Sequence, residues 1–203
     1  ESWVGRYHAT ESELTTVNIN PAVAYAVSDR VSIAVGFVAQ YADATLARAR
    51  DLSGPGAPPR PDTDAITEVT GDDWDYGFTL GVLAEPLAGT RLGLGYRSQI
   101  NHTLEGDFTA TAGGARLRED TGRAALATPQ VATLGVRQRL TDKLDLLGTL
   151  EWTGWSSFDE LKIRLGSGDE IVTPERWDDS WFVALGAEYR PRDDLALTAG
   201  AAF

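Results

Sequence analysis

The sequence predicts an all-β protein, an antiparallel transmembrane β-barrel, and three observations lead to this fold class. In most segments that Gly and Pro separate, apolar residues recur at every second position, which is the period of a strand. The connections between these segments alternate between short and long along the chain. The longest run of non-polar side chains without a Gly, at 21–27, is far shorter than the roughly 20 residues of a transmembrane helix.

The alternation predicts about eight strands. The first, at 17–27, contains Pro21, which lacks an N–H donor and therefore weakens the case for pairing at this position or indicates a bulge. The clearest strand, at 181–189, has a wholly apolar face opposite a face of small and charged residues. The other strands are expected at 31–41, 76–84, 92–96, 132–136, 144–152 and 195–203.

The lengths of the connections favour a membrane barrel. Short connections are expected at 28–30, 86–89, 141–143 and 191–194, and long ones at 51–72, 110–126 and 166–179. Outer-membrane barrels have tight periplasmic turns at one end and long extracellular loops at the other. A β-sandwich or a lipocalin-like cup is the alternative, and it explains the alternating side chains but not the alternating connections.

Aromatic residues stand at the ends of the apolar faces. Trp181 and Tyr189 are eight residues apart on one face, which corresponds to about 20 Å along the membrane normal at a tilt near 40°. Trp152 and Tyr96 end the apolar faces of their own strands. These four residues are therefore the candidates for the aromatic girdles at the two membrane interfaces.

The opposite face of the same strands would line the barrel interior. Because side chains alternate between the two faces of a strand, we assign residues to this face by the parity of their position, and it carries charges of both signs. This predicts an interior in which the charges form salt bridges; a pathway for an anionic headgroup is the alternative. These inward residues are Asp75, Glu85, Arg91, Arg97, Gln99, Asn101, Arg137, Arg139, Asp145, Glu151, Glu188 and Arg190.

Composition excludes several classes of function. The chain has 203 residues, with 18 Lys and Arg against 30 Asp and Glu, so a net charge of −12 argues against nucleic-acid binding. Cys is absent, and His8 and His102 are the two His residues, so we expect no metal centre and no cofactor.

Three stretches carry a more specific signal. Residues 71–86 (GDDWDYGFTLGVLAEP), followed by Tyr96-Arg97-Ser98 and Leu104-Glu105-Gly106, resemble a signature hairpin of the FadL/TodX family of outer-membrane transporters. Residues 151–161 (EWTGWSSFDEL) and 177–186 resemble two later strands of that family. Together with Asn18-Ile19-Asn20-Pro21, the resemblance extends over nearly the whole chain.

The resemblance implies a single outer-membrane barrel domain, of which residues 1–203 form an internal part. The complete family barrel has fourteen strands, and its N-terminal hatch and last strands lie outside this sequence. The implied function is passive uptake of long-chain fatty acids, or of aromatic or aliphatic hydrocarbons, across the outer membrane of a Gram-negative cell. The implied route is capture near the extracellular loops, transfer to an inner pocket, hatch movement and lateral exit through the barrel wall. The expected surroundings are outer-membrane lipid and lipopolysaccharide, with the protein as a monomer.

If the chain forms such a barrel, the apolar side chains on the inward faces of its strands are the candidate ligand contacts. Leu147, Trp155 and Phe182 are the inward apolar candidates, with Phe158 and Leu161 near the outer rim; packing against the hatch is the alternative for all of them. A fatty-acid carboxylate needs a cation. Arg97 is the first candidate because its face would carry the neutral Gln99 and Asn101, and Lys162 and Arg164 are the second.

Three other functions stay open at this point. An outer-membrane phospholipase needs a Ser–His pair on one face, whereas parity places His102 on the lipid side, so we expect no enzyme. A general porin needs an open, strongly charged constriction. A structural or adhesive barrel would take up no hydrophobic solute saturably.

Overall fold

The computed structural model describes residues 4–53 and 63–203, and the described part is a single antiparallel sheet of thirteen strands. No helix among these residues is long and apolar enough to cross a membrane. Two short 3-10 turns occur, at Val4–Tyr7 and Trp155–Ser157. The strands are β1 (Glu11–Ile19), β2 (Ala22–Ser28), β3 (Val31–Arg50), β4 (Ala65–Leu87), β5 (Thr90–Arg97), β6 (Ile100–Ala112), β7 (Ala115–Thr128), β8 (Val131–Thr141), β9 (Leu144–Thr153), β10 (Glu160–Leu165), β11 (Glu170–Pro174), β12 (Ser180–Arg192) and β13 (Leu195–Ala202).

The expected all-β architecture is confirmed, whereas the expected count of about eight strands is too low for the described residues. The predicted strand at 17–27 is interrupted and forms β1 and β2. Four further strands, β6, β7, β10 and β11, lie where the sequence predicts no strand, and each is separated by a short interruption from the predicted strand that precedes or follows it. Proline causes two interruptions, at Pro21 and Pro129, because it has no N–H for the ladder. The first interruption leaves the register unchanged, since Ile19 pairs with Ala39 and Ala22 with Gly36.

The interruptions divide the sheet into two halves. In the turn-side half, β2 and the first part of β3 continue through the second part of β4 to β5, β8, β9, β12 and β13. In the loop-side half, β1 and the second part of β3 continue through the first part of β4 to β6, β7, β10 and β11. Within the described residues the sheet is not closed, and its edges are β1/β2, β11 and β13.

The connections confirm the tight turns and correct the long loops. Two-residue turns occur at 29–30, 88–89, 142–143 and 193–194, at one end of the sheet. At the other end, the segment 110–126 is almost entirely strand, since β6 and β7 pair up to a turn at Gly113 and Gly114, whose φ angles are 57° and 80°. Likewise β4 begins at Ala65 and β11 occupies 170–174, so the connections expected at 51–72 and 166–179 are shorter than predicted. Residues 54–62 lie outside the described part.

The apolar faces of successive strands align into one continuous outer surface. Leu185 lies opposite Gly148 and Ala201 on this surface, and 69% of its area is exposed. Trp181 lies opposite Trp152, and Ala132 connects that pair to Tyr96, so three of the four girdle candidates form one row. Tyr189 is near the opposite end of β12. An exposed apolar surface of this kind suits contact with lipid hydrocarbon.

The inner face of the turn-side half contains the ion pairs that parity predicts. Arg91 binds Glu85 with a 2.7 Å hydrogen bond from Nε, and Arg137 binds Asp145 with a 2.9 Å hydrogen bond from Nε. Arg190 pairs with Glu188 beside them. These charges therefore satisfy one another inside the sheet, as a salt-bridged interior requires.

The buried core lies in the loop-side half. It consists of six side chains that project from β3, β6, β7 and β10 onto the inner face: Ala42, Leu104, Phe108, Ala124, Ile163 and Leu165. The inner surface is therefore charged in the turn-side half and apolar in the loop-side half.

Candidate functional site

An apolar cavity of about 450 Å³ lies beside this core, on the inner face of the loop-side half. This volume is within the range of small-molecule sites, about 300–1,000 Å³. Most of its lining comes from aliphatic and aromatic residues on six strands and two connecting segments. They include Leu14, Ala44, Leu46, Val69, Leu104, Ala124, Leu126, Trp155, Phe158, Leu161, Ile163 and Trp177.

Three aromatic rings form one wall of the cavity. Trp155 and Phe158 belong to the segment between β9 and β10, and Trp177 belongs to the segment between β11 and β12. The Trp177 ring centroid is 5.1 Å from each of the other two centroids, with interplanar angles of 65° and 69°. Edge-to-face contacts of this kind favour a fixed arrangement of the rings.

Asp179 holds the two segments of the aromatic wall together. Its Oδ1 accepts a hydrogen bond of 2.9 Å from the backbone N–H of Ser156, and its Oδ2 accepts one of 3.1 Å from Nε1 of Trp152. The hydrogen bond from Ser156 is the largest cause that lowers the pKa of Asp179 below its usual value; burial acts in the opposite direction. The wall is therefore stabilised by the ionised form of Asp179.

The backbone ladder of the sheet is broken between β4 and β6, at the boundary of the two halves. Thr79 pairs with Arg97, and Asp72 pairs with Glu105, so six residues of β4, 73–78, face seven residues, 98–104. The additional residue forms a bulge at 98–99. Among the described residues, no ladder pair joins 73–78 to β6. We name this region the β4–β6 break.

One backbone hydrogen bond and several side chains occupy the β4–β6 break in place of ladder pairing. The N–H of Ser98 donates to the carbonyl of Phe78 and its Oγ accepts from the N–H of Phe78, both at 3.0 Å. Gly77 leaves room for this contact, since a Cβ there would lie 2.7 Å from Ser98 Oγ and 2.8 Å from Ile100 Cγ1. The break is thus closed by one backbone hydrogen bond and by the side chains of Ser98 and Ile100 instead of a full ladder.

The bulge reverses the alternation of side chains along β6. Ile100, His102 and Leu104 are buried on the inner face, whereas Asn101 is exposed on the other face. The expectation that Gln99 and Asn101 share the face of Arg97 is therefore wrong, and so is the placement of His102 on the lipid side. One inserted residue moves every later side chain of a strand to the opposite face.

His102 belongs to a polar network beneath the break. Its Nε2 lies 2.9 Å from Gln40 Oε1 and its Nδ1 lies 3.2 Å from Asp73 Oδ2. Gln40 and Arg97 both donate to Asn18 Oδ1, at 2.9 and 2.6 Å. Because both ring nitrogens of His102 are occupied, neither is left to activate a Ser nucleophile.

The structure brings together only part of the predicted site. Trp155 and Phe158 line the cavity, and so does Leu161. Arg97 lies at the turn-side end of the break, where it binds Asn18, and none of the ion pairs among the described residues includes it. Lys162 alternates with two lining residues, so it faces outward, where it pairs with Glu160 at 2.8 Å.

Two other predicted contacts lie outside the cavity. Leu147 and Phe182 occupy the inner face of the turn-side half, where they are 37% and 43% exposed. The residues that sequence reasoning missed are the aliphatic lining of the loop-side half, above all Leu14, Leu46 and Leu126, and the third aromatic ring, Trp177. The sequence shows the motif that contains Trp177, but it does not show that the ring of Trp177 contacts Trp155 and Phe158.

Comparison with known proteins places this geometry among outer-membrane proteins. The sequence model of a family described as "Outer membrane protein transport protein (OMPP1/FadL/TodX)" matches residues 1–203. A long-chain fatty acid transport protein of Escherichia coli O6:H1 is 25% identical over 234 aligned positions, which cover 100% of this chain and 52% of that protein. The chain thus spans about half the length of this relative.

Solved structures share the fold. A Pseudomonas aeruginosa FadL homologue superposes with a TM-score of 0.85 at 24% identity, over 98% of this chain and 52% of that chain. The Ralstonia pickettii toluene transporter TbuX superposes with a TM-score of 0.76 at 18% identity, over 100% of this chain and 61% of that chain.

Proposed function

This chain belongs to the OMPP1/FadL/TodX family of outer membrane transport proteins, and we propose that the whole protein takes up long-chain fatty acids or other hydrophobic compounds by passive passage through its barrel. Its place is the cell outer membrane. The expected partners are the hydrophobic solute and the surrounding lipid and lipopolysaccharide, and the expected state is a monomer.

The observation that supports this proposal best is the apolar cavity in the loop-side half. A hydrophobic molecule that leaves an apolar site for water loses about 25 cal/mol for each Å² of apolar surface. A carrier for such molecules therefore needs apolar contacts along the route, which a water-filled pore does not supply. The cavity lining and the neighbouring core supply these contacts over the loop-side half.

The β4–β6 break supports a lateral exit for the solute. Along most of the described sheet, a molecule that crosses the barrel wall must first separate two strands that are joined by backbone hydrogen bonds. At 73–78 that ladder is already missing, and the closing contacts are one backbone hydrogen bond from Ser98 and the side chains of Ser98 and Ile100. Arg97, at the turn-side end of the break, is the proposed partner for a carboxylate if the solute carries one.

Deletion of Gln99 from the complete protein tests the exit. The deletion makes six residues face six, so β5 and β6 can pair with β4 as one strand. Ile100, His102 and Leu104 keep their inward positions, because the deletion removes the one residue that reverses the alternation. We expect binding of a radiolabelled fatty acid or hydrocarbon to persist and its uptake by cells to fall to background.

The outcomes separate the proposed function from its alternatives. Normal uptake by the deletion variant would contradict the lateral exit but not transport itself. If the unaltered protein shows no saturable uptake of any hydrophobic solute, the transport proposal is wrong and a structural barrel is favoured. Uptake of small polar solutes at the same rate would favour a general porin.

A further inference from the structure

The charged residues that line the apolar cavity in the described part of the chain are acidic. Glu13 and Glu175 are the ionisable residues among those that line it, and no Lys or Arg lines it in the described part of the chain. Glu13 stands opposite Thr45 on the outer face of β1, so its side chain points away from the interior. Glu175 is half-buried, and its carboxylate accepts a 3.2 Å hydrogen bond from Nε1 of Trp177, in the aromatic wall.

Three cations on β7 and β10, next to the cavity lining, face outward and are already paired. Arg123 pairs with Glu105 at 2.5 Å, and Arg164 pairs with Glu170 at 2.9 Å. Lys162, on the same face of β10 as Arg164, pairs with Glu160. These three side chains alternate with residues that face the interior, so none of them can turn to the cavity without leaving its carboxylate.

Arg118 on β7 lies on the inner face, and two carboxylates bind it. Arg48 and Arg50 on β3 also lie on the inner face, beyond Leu46, and neither of them lines the cavity. Arg118 donates to Asp120 at 2.9 Å and to Asp169 at 2.8 Å. The hydrogen bond from Arg118 is the largest cause that lowers the pKa of each of these two carboxyl groups. The two carboxylates therefore outweigh the charge of Arg118 near the tip of the β6–β7 hairpin, and Arg118 adds no net positive charge to the cavity.

We propose that the cavity selects uncharged hydrophobic compounds and rejects carboxylates, and that Glu175 in the aromatic wall is the residue that enforces this selection. This inference rests on the proposed function. A carboxylate in the cavity would meet the carboxylate of Glu175 with no Lys or Arg among the described lining residues, in a site with apolar walls where water screens charge poorly. A carboxylic acid would therefore enter as the neutral acid, and Arg97 would meet it only after it has left the cavity.

The test compares two ligands of the same shape, methylnaphthalene and naphthoate, which differ in a methyl group and a carboxylate. Binding to the complete protein in detergent is measured at pH 7 for the unaltered protein and for Glu175→Gln. We expect the unaltered protein to bind methylnaphthalene more tightly, and E175Q to improve naphthoate binding by about tenfold without changing methylnaphthalene binding. Glu13→Gln, which removes a charge from the outer face, is the matched control and should change neither affinity.

Each of the other possible binding results contradicts a specific part of the proposal. If both ligands bind and E175Q leaves their affinity ratio unchanged, or E13Q changes it equally, selection by Glu175 is wrong while binding of hydrophobic compounds stands. If the unaltered protein binds naphthoate as tightly as methylnaphthalene, the cavity does not discriminate by charge. If neither ligand binds saturably, the proposed function itself is wrong, and the inference falls with it.

Discussion

Replacement of Leu185 by Arg tests whether the continuous apolar surface faces lipid. Leu185 lies four residues from Trp181 and four from Tyr189, which is about 13 Å along the strand and about 10 Å along the membrane normal from each. Its cross-strand neighbours, Gly148 and Ala201, offer no carboxylate to a new cation. An Arg near the bilayer midplane costs about 2–4 kcal/mol in outer-membrane barrels, so we expect L185R to lower the free energy of unfolding by that amount.

The assay is urea unfolding of the complete protein in lipid vesicles, followed by tryptophan fluorescence. Ala184→Arg is the matched control, because Ala184 precedes Leu185 at nearly the same depth and faces the interior opposite Thr149. We expect A184R to cost less than about 1 kcal/mol. If the two variants are destabilised equally, the assignment of the outer face is wrong.

Three further predictions concern topology, the candidate headgroup partner and the aromatic wall. A protease added to intact cells should cut the connection between β3 and β4, between Asp51 and Asp64, and spare the turn at 142–143; cleavage at both would contradict the topology. If a carboxylate reaches Arg97, R97A should weaken binding of a fatty acid by about 1.5–3 kcal/mol and leave its methyl ester unaffected; an equal loss for both ligands, or for neither, makes Arg97 structural. Because the pKa of Asp179 is lowered in the folded protein, its contribution to stability is complete above its usual pKa and is lost as the pH falls through the lowered value. Tryptophan fluorescence should therefore report loosening of the wall in acid, below about pH 4, and D179N should show the loosened state already at pH 7; an unchanged acid transition in D179N would refute the role of Asp179.

The strands that could be predicted are those with one face towards lipid and the other towards the barrel interior. Where one face contacts lipid and the other the interior, as at 181–189, apolar residues alternate strictly and the strand is visible. The hairpin of β6 and β7 continues beyond that region, where residues such as Thr109, Arg116 and Glu119 give no such alternation. The sequence therefore predicts a loop there, although the backbone pairing of β6 with β7 extends, with one register shift, to the turn.

The alternation of side chains predicts the faces of β5 correctly, with Tyr96 outward and Arg97 inward. It gives the wrong face for residues beyond the bulge at 98–99. A bulge adds one residue without a distinctive side chain, so its position is set by how β6 pairs with β4 and not by local composition. The burial of His102 among Gln40 and Asp73 follows from that single insertion.

The candidate site was predictable only as far as a motif placed aromatic residues near the rim. Trp155 and Phe158 belong to one short stretch, whereas Trp177 reaches them because β10 and β11 form a hairpin that returns the chain. The rest of the lining comes from strands far apart in sequence, such as β1 and β7. Contacts of this kind depend on the curvature and register of the sheet, which a pattern of alternation does not specify.

The most direct test of the account is the uptake of a radiolabelled uncharged hydrocarbon by cells that carry the complete protein, with the cavity filled. Leu14→Trp places an indole in the cavity from a position that is 51% exposed, so it leaves the buried core intact. Thr15→Trp, one residue later and opposite Asp43 on the outer face, is the control. We expect L14W to abolish saturable uptake and T15W to transport like the unaltered protein. Equal uptake by both variants, with L14W inserted normally in the outer membrane, would contradict passage through the cavity.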